Sequence, residues 1–132
     1  MIKIKLNLDL IRELLIAIEK ASNGKKNFDV ESVYALDPQT FDLYGGLDAV
    51  EYHLRQLAIG GYVVTTSGYD TRLGNGFVLD LTWEGHEFIR NISNPSIWQK
   101  VKDKLSPVTN NVSLSVLGQI AGTIVKQQLG IG

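Results

Sequence analysis

The chain has 132 residues, which is enough for one domain but not for two with well-developed cores. Thirteen Lys and Arg against fourteen Asp and Glu give a net charge of −1, which excludes the strongly basic composition of a non-specific nucleic-acid binder. The absence of cysteine excludes a disulfide framework, a thiolate nucleophile and a Cys-based zinc site.

The N-terminus and the uncharged segment 106–125 are the two places where a targeting or membrane segment would be sought. Lys3, Lys5 and Asp9 interrupt the N-terminal apolar residues, so we expect no signal peptide. The segment 106–125 contains several Asn, Ser, Thr and Gln side chains, which are costly in hydrocarbon. The sequence therefore predicts a soluble cytoplasmic protein with no membrane partner.

Two stretches near the N-terminus have the apolar spacing of amphipathic helices. The first predicts a helix from Leu8 to Lys20, with Asn7 or Asp9 as its N-cap. The second predicts a short helix over Val30–Leu36. We expect Asp37-Pro38 to end it, because the residue before a proline disfavours helical backbone.

A turn at Gly45-Gly46 precedes the third predicted helix, which runs from Leu47 to about Ile59 and ends at Gly60-Gly61. One face of this helix is expected to be buried, through Leu47, Val50, Leu54 and Leu57.

The following region changes to strand-like composition. Residues 62–66 and 77–81 are β-rich runs joined by a polar, glycine-containing loop, which predicts a β-hairpin with a long tip. Thr82 is expected to cap a helix over Trp83–Ile92.

Asn94-Pro95 predicts the start of a further helix, because Asn is a favourable N-cap and Pro a favourable first helical residue. This helix is expected to end at Ser106-Pro107 and to carry Trp98 on its buried face. A last helix is predicted from about Leu114 to Leu129.

Three helices, a hairpin and further helices are the order of a winged helix, a helix-turn-helix variant with a β-wing. Two stretches resemble small bacterial winged-helix repressors, namely Tyr52–Leu57 with Gly60–Val63, and Leu81–Phe88. The sequence therefore predicts a single α+β winged-helix domain over residues 1–132. Its expected parts are a core at 1–92, a wing at 62–81 and a C-terminal helical extension at 94–132.

A second resemblance covers nearly the whole chain. Asp9–Arg12, Tyr52–Leu54, Leu81–Phe88, Trp98 and Lys102 look like an uncharacterised family of short bacterial and prophage proteins, known only as a domain of unknown function. The resemblance implies a phage or mobile-element accessory gene with a winged-helix-like core. It supplies no catalytic residue.

The first functional hypothesis is a phage- or prophage-type DNA-binding transcriptional regulator. A winged helix places its third helix in the major groove and its wing along the backbone. The candidate DNA contacts are Tyr52, Arg55, Gln56 and Arg72. Charge argues against this hypothesis, because residues 27–54 hold six acidic and no basic residues.

The second hypothesis is a protein-binding phage accessory factor that inhibits or adapts a host or defence protein. Asp42, Asp48 and Glu51 would present an acidic helix-turn-helix face to a basic partner surface. The plainer interpretation is that these carboxylates form solvated surface, as charge clusters usually do.

An enzyme is not expected, and neither a cofactor nor a metal is implied. His53 lies within the third predicted helix, where a structural role is the more common one. His86 has Glu87 beside it but lacks the second histidine of a His-Glu-x-x-His zinc helix. The remaining carboxylates form no recognisable acid–base pair.

The last predicted helix has one apolar stripe and a Gly-x-x-x-Gly spacing. It is interpreted either as packing on the chain's own first helix or as the seam of a homodimer of two winged helices. The candidate dimer residues are Leu114, Leu117, Gly118, Ala121, Gly122, Ile124 and Val125.

Overall fold

The computed structural model describes residues 6–23, 28–65, 78–105 and 114–130, and the chain divides into two compact units, Met1–His86 and Glu87–Gly132. The described helices are α1 (Leu8–Ala21), α2 (Val30–Tyr34), α3 (Pro38–Leu43), α4 (Gly46–Ile59), α5 (Trp83–Ile92), α6 (Pro95–Leu105) and α7 (Leu114–Gln128). The strands β1 (Val63–Thr65) and β2 (Val78–Leu81) form a small antiparallel sheet. The predicted α+β class is therefore confirmed.

The first helix of the first unit agrees with its prediction. Of the two candidate caps, Asn7 fills the role, since its side-chain oxygen accepts a hydrogen bond of 3.1 Å from the Leu10 backbone N–H. One side of α1 is fully buried and supplies much of the core, through Leu10, Ile11, Leu14, Leu15 and Ile18.

The segment after α2 corrects the sequence interpretation. Asp37-Pro38 was expected only to end a helix, and no helix was predicted between it and Gly45-Gly46. The structure has α3 there, because the same pair also starts a helix: the Asp37 carboxylate accepts from the Thr40 N–H at 3.3 Å, and Pro38 is at the first helical position. Phe41 of α3 is fully buried.

The turn before α4 is confirmed, since Gly45 and Gly46 have φ values of 113° and 73°, which L side chains rarely adopt. The expected buried face of α4 is correct except at its first residue. Leu47 is 39% exposed, whereas Val50, Leu54 and Leu57 are fully buried.

The hairpin is confirmed at its described strands. β1 and β2 pair antiparallel, with Val63 opposite Leu81 and an irregularity in register between Val64 and Thr65. A feature that sequence analysis missed joins the sheet: Phe28 exchanges two backbone hydrogen bonds of 2.8 Å with Val78. The segment between α1 and α2 is thereby attached to the hairpin.

The base of the hairpin is closed by the start of α5. Thr82 caps this helix as predicted, accepting a 3.0 Å hydrogen bond from the Gly85 N–H, and its hydroxyl also donates to the Gly61 carbonyl at 2.5 Å. Its backbone N–H donates to the Tyr62 carbonyl at 3.0 Å. Gly85 lies so close to the Tyr62 backbone that a Cβ atom would overlap the Tyr62 oxygen.

The second unit contains α6 packed against α7. Asn94 caps α6 as predicted, accepting from the backbone N–H groups of Ser96 at 2.8 Å and Ile97 at 3.2 Å. Trp98 is buried as expected, and the Lys102 ammonium lies 5.8 Å from the centre of its ring. Among the described residues no helix is long and apolar enough to cross a membrane.

The two glycines Gly85 and Gly122 give a matched test of this packing. We expect Gly85→Ala to lower the free energy of unfolding by about 2 kcal/mol, because the new methyl group must displace the Tyr62 backbone. Gly122→Ala should raise it by about 0.5–1 kcal/mol, because a Cβ there meets nothing within 4 Å and alanine favours helix. Urea denaturation measures both, and equal effects would contradict the close approach at Gly85.

Candidate functional site

The helix α4 is divided cleanly into a buried side and an outward side. Its buried residues are Ala49, Val50, His53, Leu54 and Leu57. At about 3.6 residues per turn, the remaining positions form one continuous arc. The arc carries Leu47, Asp48, Glu51, Tyr52, Arg55, Gln56, Ala58 and Ile59, all half-buried or exposed.

The predicted DNA contacts on α4 lie on this outward arc. Tyr52, Arg55 and Gln56 are each half-buried. Arg55 is already engaged, because its guanidinium lies 3.0 Å from the Glu51 carboxylate one turn earlier. The fourth predicted contact, Arg72, lies outside the described residues.

The predicted acidic residues are also at the surface. Asp48 is exposed and Glu51 is the half-buried partner of Arg55. Asp42, at the end of α3, accepts a 2.6 Å hydrogen bond from the Tyr34 hydroxyl, and this bond raises the pKa of the Tyr34 phenol. Arg55 is the only Lys or Arg between residues 28 and 65, where six carboxylates occur.

Two leucines complete this surface, and sequence analysis did not assign them to it. Leu43, the last residue of α3, is 82% exposed, and Leu47 begins the outward arc of α4. We call the surface made by Asp42, Leu43, Leu47, Asp48 and Glu51 the α3–α4 face. No helical periodicity indicated Leu43, and the spacing of Leu47 pointed to the core.

A shallow concavity of about 170 Å³ adjoins the α3–α4 face. Val30 and Leu47 supply its apolar wall, and the carboxylates of Asp29, Glu31 and Glu51 surround it. Asp29 is occupied as the N-cap of α2, where hydrogen bonds from Ser32 lower the pKa of its carboxyl. The concavity is therefore lined by both apolar and acidic residues.

His53 lies beneath the outward arc and is 1% exposed. Its Nε2 accepts a 2.7 Å hydrogen bond from the Asn7 backbone N–H, which requires the proton on Nδ1, and that atom donates to the Ala49 carbonyl at 2.7 Å. Burial lowers the pKa of the His53 imidazole despite the hydrogen bond to Ala49. Both nitrogens thus have partners within the fold.

His86 lies between two carboxylates rather than beside a cluster. Its Nδ1 is 3.5 Å from Glu19 and its Nε2 is 3.6 Å from Asp80. Because the two carboxylates lie near different ring nitrogens, they are not placed to bind one metal ion together with the imidazole. In the portion of the chain that the structure describes, no group of three metal-ligating side chains is found.

The predicted dimer stripe on α7 is divided between buried and half-buried positions. Leu117, Ala121 and Ile124 are buried within the single chain. Gly118, Gly122 and Val125 are half-buried, and the side chain of Leu114 lies outside the described residues. A groove of about 230 Å³ runs beside this helix, lined by Lys104, Gln119, Ile120, Thr123, Ile124 and Gln127.

Comparison with known proteins identifies a family but not an activity. The chain belongs to the family described as "Hypothetical protein (DUF2513)", which matches residues 5–110. It is also similar to an uncharacterized protein of Haemophilus influenzae, 27% identical over 125 residues, which span 95% of this chain and 98% of the relative. No solved structure matches the chain significantly. The predicted membership of an uncharacterised family is confirmed.

The buried histidine predicts a loss of stability in acid. The folded chain holds His53 neutral below its ordinary pKa of 6.5, whereas the unfolded chain protonates it. The free energy of unfolding should therefore decrease as pH falls below 6.5 and continue to decrease until the folded-state pKa is reached. The slope due to this residue is at most about 1.4 kcal/mol per pH unit.

Urea denaturation between neutral and mildly acidic pH measures this effect. We expect His53→Gln to be less stable than the unsubstituted chain at neutral pH, because the flexible amide of glutamine does not restore both hydrogen bonds of the imidazole, and to show a flatter pH dependence. His86→Gln is the matched control and should retain the decrease that His53 causes. Parallel pH profiles for His53→Gln and the unsubstituted chain would contradict the assignment.

Proposed function

We propose that this member of the DUF2513 family is a non-enzymatic winged-helix binding protein that acts on a protein partner with a basic surface. The order of α4 followed by the hairpin supports the winged-helix arrangement. The Phe28–Val78 bridge also supports it, because it joins the segment after the first helix to the hairpin. In such an arrangement the outward arc of α4 is the surface offered to a macromolecule.

The exposure of leucines among carboxylates on the α3–α4 face is the observation that carries the proposal. Leu43 is 82% and Leu47 39% exposed, and Asp42 and Asp48, which precede and follow them in the chain, are exposed as well. Two exposed leucines four residues apart, at the junction of two helices and with carboxylates next to them in the chain, offer apolar surface that a partner can bury.

Charge selects the kind of partner. Between residues 28 and 65 the chain carries one basic and six acidic side chains, and the basic one, Arg55, is held by Glu51. Such a face repels phosphates, whose neutralisation by Lys and Arg supplies most of the affinity of DNA-binding proteins. It attracts a positively charged protein surface and accelerates the encounter with it.

Transcriptional regulation through DNA is the second candidate, favoured by the placement of Tyr52 and Gln56. Both side chains lie on the outward arc of α4, the position from which a recognition helix contacts bases. Under this candidate Arg55 must leave Glu51 and Arg72 must contact the backbone.

Charge reversal separates the two candidates. We expect the double variant Asp48→Lys/Glu51→Lys to lose at least about tenfold in affinity for the protein partner, because the attraction becomes repulsion. The partner is identified by affinity capture, purified, and titrated against each variant. Glu87→Lys, on an exposed position of α5, is the matched control and should bind as the unsubstituted chain does. Unchanged affinity in the double variant would exclude the α3–α4 face.

A mobility-shift titration with duplex DNA at low and moderate salt tests the second candidate. We expect no salt-sensitive retention by the unsubstituted chain. Retention that is lost in Arg55→Ala and Arg72→Ala would support DNA-linked regulation and contradict our proposal.

A further inference from the structure

The α3–α4 face is built from helices, which restricts how a partner can engage it. The α3–α4 face contains no β-strand, and beyond its end turns the backbone groups of α4 are hydrogen-bonded within the helix. A partner strand could not add to this surface, because strand addition needs a free sheet edge. Recognition must therefore use side chains, as when the apolar side of one helix packs on another.

The shape and chemistry of the face match one side of an amphipathic helix. Leu43 and Leu47 are separated by the Gly45-Gly46 turn and offer apolar contact at the junction of two helices. The concavity beside Leu47 continues this apolar surface to Val30. Asp29, Glu31 and Glu51 line the same concavity, and Asp42 and Asp48 are exposed next to the leucines in the chain.

We propose that the α3–α4 face receives an amphipathic helix of the partner protein, with an apolar stripe on Leu43 and Leu47 and Lys or Arg residues flanking that stripe. This inference rests on the proposed function and adds the mode of recognition. The apolar stems of the basic side chains pack along the concavity while their charged ends approach the carboxylates at its rim, such as Glu31.

Charge also disfavours a two-fold dimer in which the α3–α4 face pairs with the same face of a second copy. In a two-fold dimer the same patch meets itself, so Asp42, Asp48 and Glu51 would face their own copies. Like charges brought together at an interface repel each other. A basic helix supplies the opposite charge at the same positions.

A synthetic helix tests the inference without knowledge of the natural partner. The probe is a fluorescein-labelled peptide of about 18 residues, or five turns, with a leucine stripe flanked by arginines. Two further peptides are a scrambled sequence of the same composition, which lacks the stripe, and a version with glutamate for arginine. Fluorescence anisotropy measures their binding to the folded chain and its variants.

We expect the arginine peptide to bind at least about tenfold more tightly than either of the other two. Leu43→Gln/Leu47→Gln should weaken its binding about tenfold, since both leucines are at the surface and their replacement leaves the core intact. Leu129→Gln, which replaces a leucine that is 66% exposed after α7, is the matched control and should change binding less than twofold.

The remaining outcomes distinguish failure of the helical recognition mode from failure of the proposed function. If the striped and scrambled peptides bind equally and Asp48→Lys/Glu51→Lys abolishes binding of both, the inference of a helical partner segment is wrong. The proposal of a partner with a basic surface would still hold. If none of the peptides binds, the inference of a helical partner segment is also wrong. If the natural partner binds Asp48→Lys/Glu51→Lys with unchanged affinity, the proposed function is wrong. A dimer in sedimentation velocity that Leu43→Gln/Leu47→Gln dissociates would identify a second copy as the occupant and contradict the inference.

Discussion

The hydrogen bonds of His53 are the polar interaction on which the arrangement of the first unit depends. Its imidazole joins the backbone of Asn7, which caps α1, to the Ala49 carbonyl of α4. Leaving one nitrogen of this buried imidazole without a partner would cost about 1–3 kcal/mol. The bond to Asn7 ties the start of α1 to α4, whereas the bond to Ala49 lies within α4 and orients the ring. The apolar packing around it supplies most of the burial energy, and the hydrogen bonds add a directional requirement to that packing.

The burial of one side of α4 determines which residues of the helix are available for binding. Because Ala49, His53 and Leu57 are buried in the core, the opposite side of α4, its outward arc, faces away from the core. At the C-terminal end of α4, Thr82 and Gly85 hold the hairpin base to the Gly61–Tyr62 turn. Because its residues lie on helices, the proposed α3–α4 binding face would be ordered before a partner arrives, which lowers the entropic cost of binding compared with a loop of the same composition.

Much of this architecture follows from local signals in the sequence. Helix caps at Asn7, Thr82 and Asn94 are recognisable because one side-chain oxygen satisfies nearby backbone N–H groups, and that requirement is local. The missed helix α3 shows the limit of such rules, since Asp37-Pro38 is both a stop for one helix and a start for the next. The Phe28–Val78 bridge had no local signal, because a single-residue pairing has no periodicity.

The charge of the candidate surface could be predicted from the sequence, but its exposed leucines and its ion pair could not. The run of carboxylates between residues 27 and 54 is visible along the chain, whereas the Glu51–Arg55 pair and the exposure of Leu43 and Leu47 depend on which elements cover which turns. Leu47 has core spacing, yet it follows the glycine turn at the first turn of α4 and remains partly uncovered. Those two leucines alter the functional argument. A purely acidic surface is compatible with simple solvation, whereas two exposed leucines at the same helix junction add apolar surface that a complementary partner can bury.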